Sequence, residues 1–148
     1  GEVELAVVTL PQAMPDLKLL PVWDDRLEFV IAAHHPLARM RTPGLRELLQ
    51  HPALLPGAGT YTRALVLKGL GRAQERLRVG LSTNYLEVLK MLTGIGLGWS
   101  VLPHTLIDGS LKVIHIPRIV MKRRLGIAVH TKRTLSNAAQ ALIALLTD

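Results

Sequence analysis

Cysteine is absent from all 148 residues. Its absence removes disulfide staples, thiolate zinc sites and cysteine nucleophiles together, and it fits a reducing compartment, so a cytoplasmic location is expected. Aromatic side chains are scarce, with two Trp, two Tyr and one Phe. They are not interleaved with the basic residues, which argues against a stacking platform for single-stranded nucleic acid. No apolar run reaches the roughly 18 to 20 residues of a membrane span, because Lys, Arg, Asp or Gly interrupts every candidate, and no membrane partner is expected. The opening GEVELAVV has neither a basic n-region nor a cleavage site and reads as a strand.

Half of the chain is hydrophobic, 49% by count, which is enough to bury a core. The formal net charge is +7. Its basic residues gather at Arg118, Lys122, Arg123 and Arg124, then Lys132 and Arg133, with a looser group at Arg39, Arg41 and Arg46. Without a recognition helix or zinc finger, these clusters read as a solvated face.

Strand-like runs alternate with helical patterns. Val3–Thr9 has the continuous apolar character of a buried strand. Leu17–Trp23 and Leu27–Ala33 follow as strands, separated by an acidic turn at Asp24-Asp25. HHPLARMRTPG supplies turn chemistry, and Leu45–Gln50 a short helix. The segment Ala53–Pro56 leads through Gly57–Gly59 into a helix over Tyr61–Leu70, ended by Gly69 and Gly71. Arg76–Gly80 reads as a strand, after which Ser82 or Thr83 caps a helix running to about Leu92. Strands at Leu97–Leu102, Leu111–Ile116 and Leu125–Thr131 follow, with a turn of helix at His104–Asp108. A terminal amphipathic helix spans Leu135–Leu146, capped near Ser136 or Thr134. This order predicts an α/β fold with largely parallel sheets.

The glycines of TGIGLGWSVLP, Gly94, Gly96 and Gly98, superficially match a phosphate loop. A dinucleotide fingerprint follows a strand and opens a helix, whereas here the helix comes first. Gly94 is therefore expected as a left-handed helix cap, with Gly96 and Gly98 admitting a tight passage into the sheet. No GKS or GKT occurs, so a P-loop is excluded. The opposite end of the helix is competent for anions: Ser82, Thr83 and Asn84 bring hydroxyls and an amide to a helix N-terminus after a strand. Thr60, Tyr61, Thr62 and Arg63 repeat the arrangement. Plain capping is the alternative for both. Arg63 reads as an ordinary surface arginine, with pairing to a carboxylate as the alternative.

Three features in order, HHPLA at His34–Ala38, then LRELL with HPALLP, then TGIGLGWSVLPHTLI, resemble the effector-binding domain of LysR-type bacterial transcription regulators. GEVELAVV is similar to that family's GxxDLAI strand, with Glu4 at the usual Asp. The resemblance runs from Gly1 to Asp148. It implies a two-lobed, type 2 periplasmic-binding-protein-like α/β fold with lobe I incomplete: lobe II at 24–116, and a partial lobe I from 1–23 and 117–148. It implies that the DNA-binding winged helix-turn-helix is absent from this chain. It also implies a small, anionic effector, a carboxylate, bound between the lobes by Ser82, Thr83 and Asn84, by Thr60 to Arg63, and by Thr9 and Leu10. Effector binding would act through a dimer or tetramer, and DNA would be reached only through the absent N-terminal domain. The alternative within the same fold is a periplasmic-type solute-binding domain.

An enzyme needs a reacting constellation. The histidines at 34, 35, 51, 104, 115 and 130 show no H-x-x-x-H pair, and no G-x-S-x-G elbow occurs. No catalytic residue, metal or cofactor is expected. A hydrolase or transferase remains the third possibility, since triads are spatial rather than sequential.

Overall fold

The structure, a computed structural model, describes residues 3–10 and 14–147. Gly1 and Glu2 of GEVELAVV, and Asp148, lie outside them. The chain forms two compact units, one from residues 1–25 with 122–148 and one from residues 26–121. Among the described residues no helix is long and apolar enough to cross a membrane.

Unit 26–121 is built on a sheet whose strands are the second half of β2 (Leu17–Ala32), then β5 (Trp99–Pro103), β3 (Ala53–Leu55) and β4 (Val79–Ser82), with β6 (Leu111–Ile114) also paired to β2. Successive residues of a strand face opposite sides. Phe29 and Ile31 enter one apolar cluster with Leu55, Trp99 and Val101, together with Leu48 of α1 (Leu45–Leu48) and Val66 and Leu70 of α2 (Tyr61–Leu70). Val30, Leu54 and Leu102 enter the second with Leu89 of α3 (Leu86–Gly94). Helices thus cover both faces, which explains why β3 and β5 are buried at every residue.

The sheet is mixed rather than largely parallel. β3 runs parallel to β4 and β5, but β5 and β6 both run against β2. A crossover helix lets the strands it joins run parallel, as α2 does for the neighbours β3 and β4, while α3 carries the chain from β4 past β3 to β5, which runs parallel to β3 on its other side.

Two buried hydroxyls are internally satisfied. Ser100 Oγ donates to the Leu54 carbonyl at 2.6 Å, and Thr93 Oγ1 to the Leu89 carbonyl at 2.7 Å. Gly94 proves to be the last residue of α3, capped by Ile95 in right-handed conformation, and the left-handed glycine is Gly96, with φ 92°. Gly98 has a steric role: a Cβ there would overlap the Pro52 carbonyl, which accepts the Trp99 N–H at 3.0 Å. The strand expected at Arg76–Gly80 lies later, because Gly71–Arg76 coils as a 3-10 helix.

In the other unit, β1 (Leu5–Thr9) pairs antiparallel with β7 (Met121–His130), Leu5 opposite Val129 and Thr9 opposite Leu125. Asp24 and Asp25 do not make a turn: β2 passes through them unbroken. The reason is cross-strand charge. Arg123 Nε of β7 donates to Asp25 Oδ2 at 2.6 Å, with side chains only 15% and 10% exposed, and Arg124 Nε lies 3.4 Å from Asp24 Oδ1. The adjacent arginines of the expected solvated basic face are therefore paired with acids. Helix α4 (Asn137–Thr147) starts as expected: Ser136 Oγ accepts the Ala139 N–H at 3.2 Å and donates to Glu4 Oε2 at 2.6 Å.

Candidate functional site

β3 and β4 are parallel neighbours, with Leu55 opposite Ser82, so their carboxyl ends open side by side. Each end feeds a helix. After β3 the chain runs through Pro56–Gly59 to Thr60 and α2; after β4 it runs through Thr83, Asn84 and Tyr85 to α3. In open α/β sheets the carboxyl edge is where ligands bind, because helix N-termini present unpaired N–H groups there.

The two loops are tied together. Asn84 Oδ1 accepts the Gly57 N–H at 2.9 Å, and the Thr83 N–H donates to the Leu55 carbonyl at 3.3 Å. Gly57 leaves room for that amide, since a Cβ there would stand 3.3 Å from Asn84 Oδ1. Gly59, at φ 87°, turns the chain into α2, where Thr60 Oγ1 donates to the Gly57 carbonyl at 2.9 Å and accepts the Arg63 N–H at 3.2 Å.

The helix ends differ from expectation and from each other. Ser82 is the last residue of β4, not a cap, and Thr83 Oγ1 accepts the Tyr85 N–H at 3.3 Å. No side chain caps α3, whose N-cap is Tyr85 and whose first turn carries Glu87. Helix α2 has Thr60 as its cap and no acid in its first turn. Its N-terminus is therefore the more receptive to an anion.

Arg63 sits in that first turn and is half-buried rather than a plain surface arginine. Its Nη1 is shut off from solvent and has no hydrogen-bond partner among the described residues. Burial pushes the guanidinium below its ordinary value. It stays cationic all the same, because arginine starts so far above neutrality. A buried donor without a partner calls for a ligand, an ion or water.

Of the expected site residues, the structure brings Thr60, Tyr61, Thr62 and Arg63 together with Ser82, Thr83 and Asn84 at one sheet edge. Tyr61 is exposed and Thr62 is buried. Thr9 and Leu10 belong to the other unit, where Thr9 ends β1 and the Leu10 N–H donates to the Arg124 carbonyl at 2.8 Å. Gly57 was not foreseen as part of the site, although a glycine immediately after a buried strand marks such a close approach. Among the described residues no group of three His, Asp or Glu side chains is placed to hold a metal. His35 and His51 do meet edge to face, with ring centroids 4.6 Å apart.

The family pattern of the LysR substrate binding domain matches residues 1–148. The chain belongs to that family. LysR substrate-binding domains share the type 2 periplasmic-binding-protein-like fold, and the family is one of transcription regulators with effector-binding domains. The HTH-type transcriptional regulator BbuR of Bordetella bronchiseptica is 29% identical over 102 residues, which cover 69% of this chain and 31% of BbuR. The match to that curated relative thus spans about a third of its length. The regulatory domain of Synechocystis PCC6803 CcmR, solved in complex with 2-PG, is 26% identical with a TM-score of 0.83, covering 99% of this LysR domain and 73% of the CcmR chain. The C-terminal domain of a probable LysR family regulator from Rhodococcus sp. RHA1 is 27% identical with a TM-score of 0.78, covering 99% and 75%.

Proposed function

We propose that this LysR domain senses a small, anionic metabolite, a carboxylate, held by the loops after β3 and β4, with Arg63 as its charge partner. The observation that carries the reading is Arg63 Nη1, a buried donor without a partner beside an anion-receptive helix N-terminus. Arginine matches a carboxylate with two parallel N–H donors. Ser82, Thr83 and Asn84 supply neutral donors around it, Thr60 braces the turn with its own proton committed to the Gly57 carbonyl, and Tyr61 and Thr62 complete the wall. Thr9 and Leu10, in the other unit, are further candidate contacts under the same proposal, as are lobe bounds of 1–23 with 117–148 and of 24–116. The 2-PG complex of CcmR supports a small-molecule ligand for this fold.

The effector would favour one arrangement of the domain over another, and the shift would reach DNA through an N-terminal domain of the whole regulator. The HTH-type name of BbuR favours this over a periplasmic solute-binding role. Self-association into a dimer or tetramer is part of the proposal. It is supported by an apolar helical stripe of Tyr85, Val88, Met91 and Ile95 along α3, all exposed, beside Val79 and Leu81 on β4. Among the described strands β4 pairs only with β3, which leaves its other edge open.

A thermal-shift panel of aliphatic and aromatic carboxylates tests the site. A binder raises the melting temperature of the wild type, and Arg63→Gln abolishes that rise while the variant remains folded. If every carboxylate leaves the melting temperature unchanged, or Arg63→Gln responds as the wild type does, the assignment fails.

A further inference from the structure

A cavity lies wholly within unit 26–121, and none of the loop residues after β3 and β4 lines it. It has a volume of about 310 Å³ and lies between the 3-10 turn Pro36–Arg39, with the chain that follows to Gly44, and β6 with the chain that follows to Pro117. Its walls are apolar: Leu37 and Ile114 are buried, and Ala38 and Val113 are half-buried. Three basic side chains line it, Arg41 from one wall and Lys112 and His115 from the other.

None of these three side chains has an ion-pair or hydrogen-bond partner among the described residues. No carboxylate lines the cavity. The acid nearest in sequence to that wall, Glu47, is engaged, its Oε2 accepting the Gly44 N–H at 3.0 Å. Glu47 keeps its charge and offsets part of the positive potential along the low-dielectric walls, but Arg41 and Lys112 together leave the balance positive.

The walls are also held in place before any ligand arrives. His35 Nδ1 accepts the Leu37 N–H at 3.1 Å, and the Met40 N–H closes the turn onto the Leu37 carbonyl at 3.2 Å. Pro36 and Pro43 fix one wall and Pro117 the end of the other. Arg118, next in the chain, has φ 68°, a left-handed conformation that a non-glycine residue adopts only when its surroundings impose it. A preformed pocket forfeits little ordering entropy on binding.

We infer that this cavity is a second ligand site, for a small monoanion with a compact apolar body, a carboxylate on an aliphatic ring or branch. The apolar walls take the body, while Arg41 and Lys112 take the carboxylate from opposite sides. Its volume is at the lower end of small-molecule sites, which suits a body of one ring.

The test is an amide NMR titration of the 148-residue chain with cyclohexanecarboxylate. The expected result is saturable shifts at Ala38–Thr42 and Lys112–His115. The double substitution Arg41→Gln with Lys112→Gln weakens binding at these amides tenfold or more. Both side chains are exposed, so the fold is retained, which the unchanged remainder of the spectrum verifies. Arg63→Gln leaves these shifts intact, which separates this site from the proposed effector site. The inference is overturned if those amides do not move, or if the double variant binds as the wild type does. Equal binding of cyclohexylmethanol would remove the need for charge, and equal binding of inorganic phosphate the need for an apolar body. Either would sink it, as would shifts confined to Thr60–Arg63.

Discussion

Asn84 holds Gly57 across 27 residues of sequence, its side-chain oxygen accepting the glycine N–H at 2.9 Å, so that one amide joins the loop after β3 to the loop after β4. The bond is exposed, and its loss is expected to cost about 1 kcal/mol. Asn84→Ala should therefore lower the melting temperature by only a few degrees. The larger effect should be on Gly57, whose amide should exchange with solvent faster. Asn84→Asp keeps the acceptor and should restore the exchange protection. Hydrogen exchange of both variants checks this, and unchanged protection in Asn84→Ala would refute the tie.

Gly98→Ala should destabilise the domain severely. The added methyl would meet the Pro52 carbonyl, which is backbone and cannot rotate away, while the same strand must keep the Trp99 N–H bonded to that carbonyl. Overpacking of this kind costs about 1 to 3 kcal/mol, and more where backbone must move. Gly109→Ala is the matched control, since nothing lies near a Cβ there. Urea midpoints should separate the two variants clearly.

Ser100→Ala removes a fully buried hydroxyl and leaves the Leu54 carbonyl without that donor. The expected loss is about 1 to 3 kcal/mol. Ser100→Val, which adds volume without a donor, should be worse still. Chemical denaturation measures both, and a neutral Ser100→Ala would mean that water replaces the hydroxyl.

Stability should fall in acid partly through His35. Desolvation, then the neighbouring His51 and His34, lower its pKa in the folded state below the ordinary value of 6.5. The unfolded chain therefore takes up the proton first as pH falls. The contribution is fully present above about 6.5 and declines below it, until the folded form also protonates. Protonation would further convert Nδ1 from acceptor to donor and break its bond from the Leu37 N–H. Urea midpoints from pH 8 to pH 5 should slope less for His35→Gln than for the wild type; equal slopes would exclude His35 as the source.

Removing one partner of the Asp25 and Arg123 pair should be worse than removing both. Both side chains are largely buried, and Asp25→Asn leaves the arginine charge without its carboxylate. The expected cost is about 1.5 to 3 kcal/mol. Asp25→Leu combined with Arg123→Met should recover part of it, because two apolar side chains carry no desolvation penalty. A double-mutant cycle of unfolding free energies decides the point.

Local chemistry was legible in the sequence and distant pairing was not. The helix Tyr61–Leu70 reads correctly because both its signals, Thr60 ahead and Gly71 behind, lie within a residue of its ends. Ser136 announces α4 in the same way. The acidic pair Asp24-Asp25 misleads because its partners come 98 and 100 residues later. Gly94 misleads by two residues, since either Gly94 or Gly96 could have taken the left-handed position and α3 simply runs further. At the candidate site, the strand-to-helix loops were visible in Ser82–Asn84 and Thr60–Arg63. The solitary Arg63 Nη1 was not, because burial of one guanidinium nitrogen depends on everything packed around it.

The division of the chain into residues 26–121 and a unit assembled from 1–25 and 122–148 has a consequence for biosynthesis. On the ribosome, the first 25 residues emerge early but have no β7 to pair with, while everything that residues 26–121 need for their own core is already outside. The interior segment is therefore expected to fold first and the flanking one last, inverting the usual N-terminal-first order. During that interval the edge of β1 that Val129 to Leu125 will cover stays open, an apolar edge that a nascent-chain chaperone would have to shield.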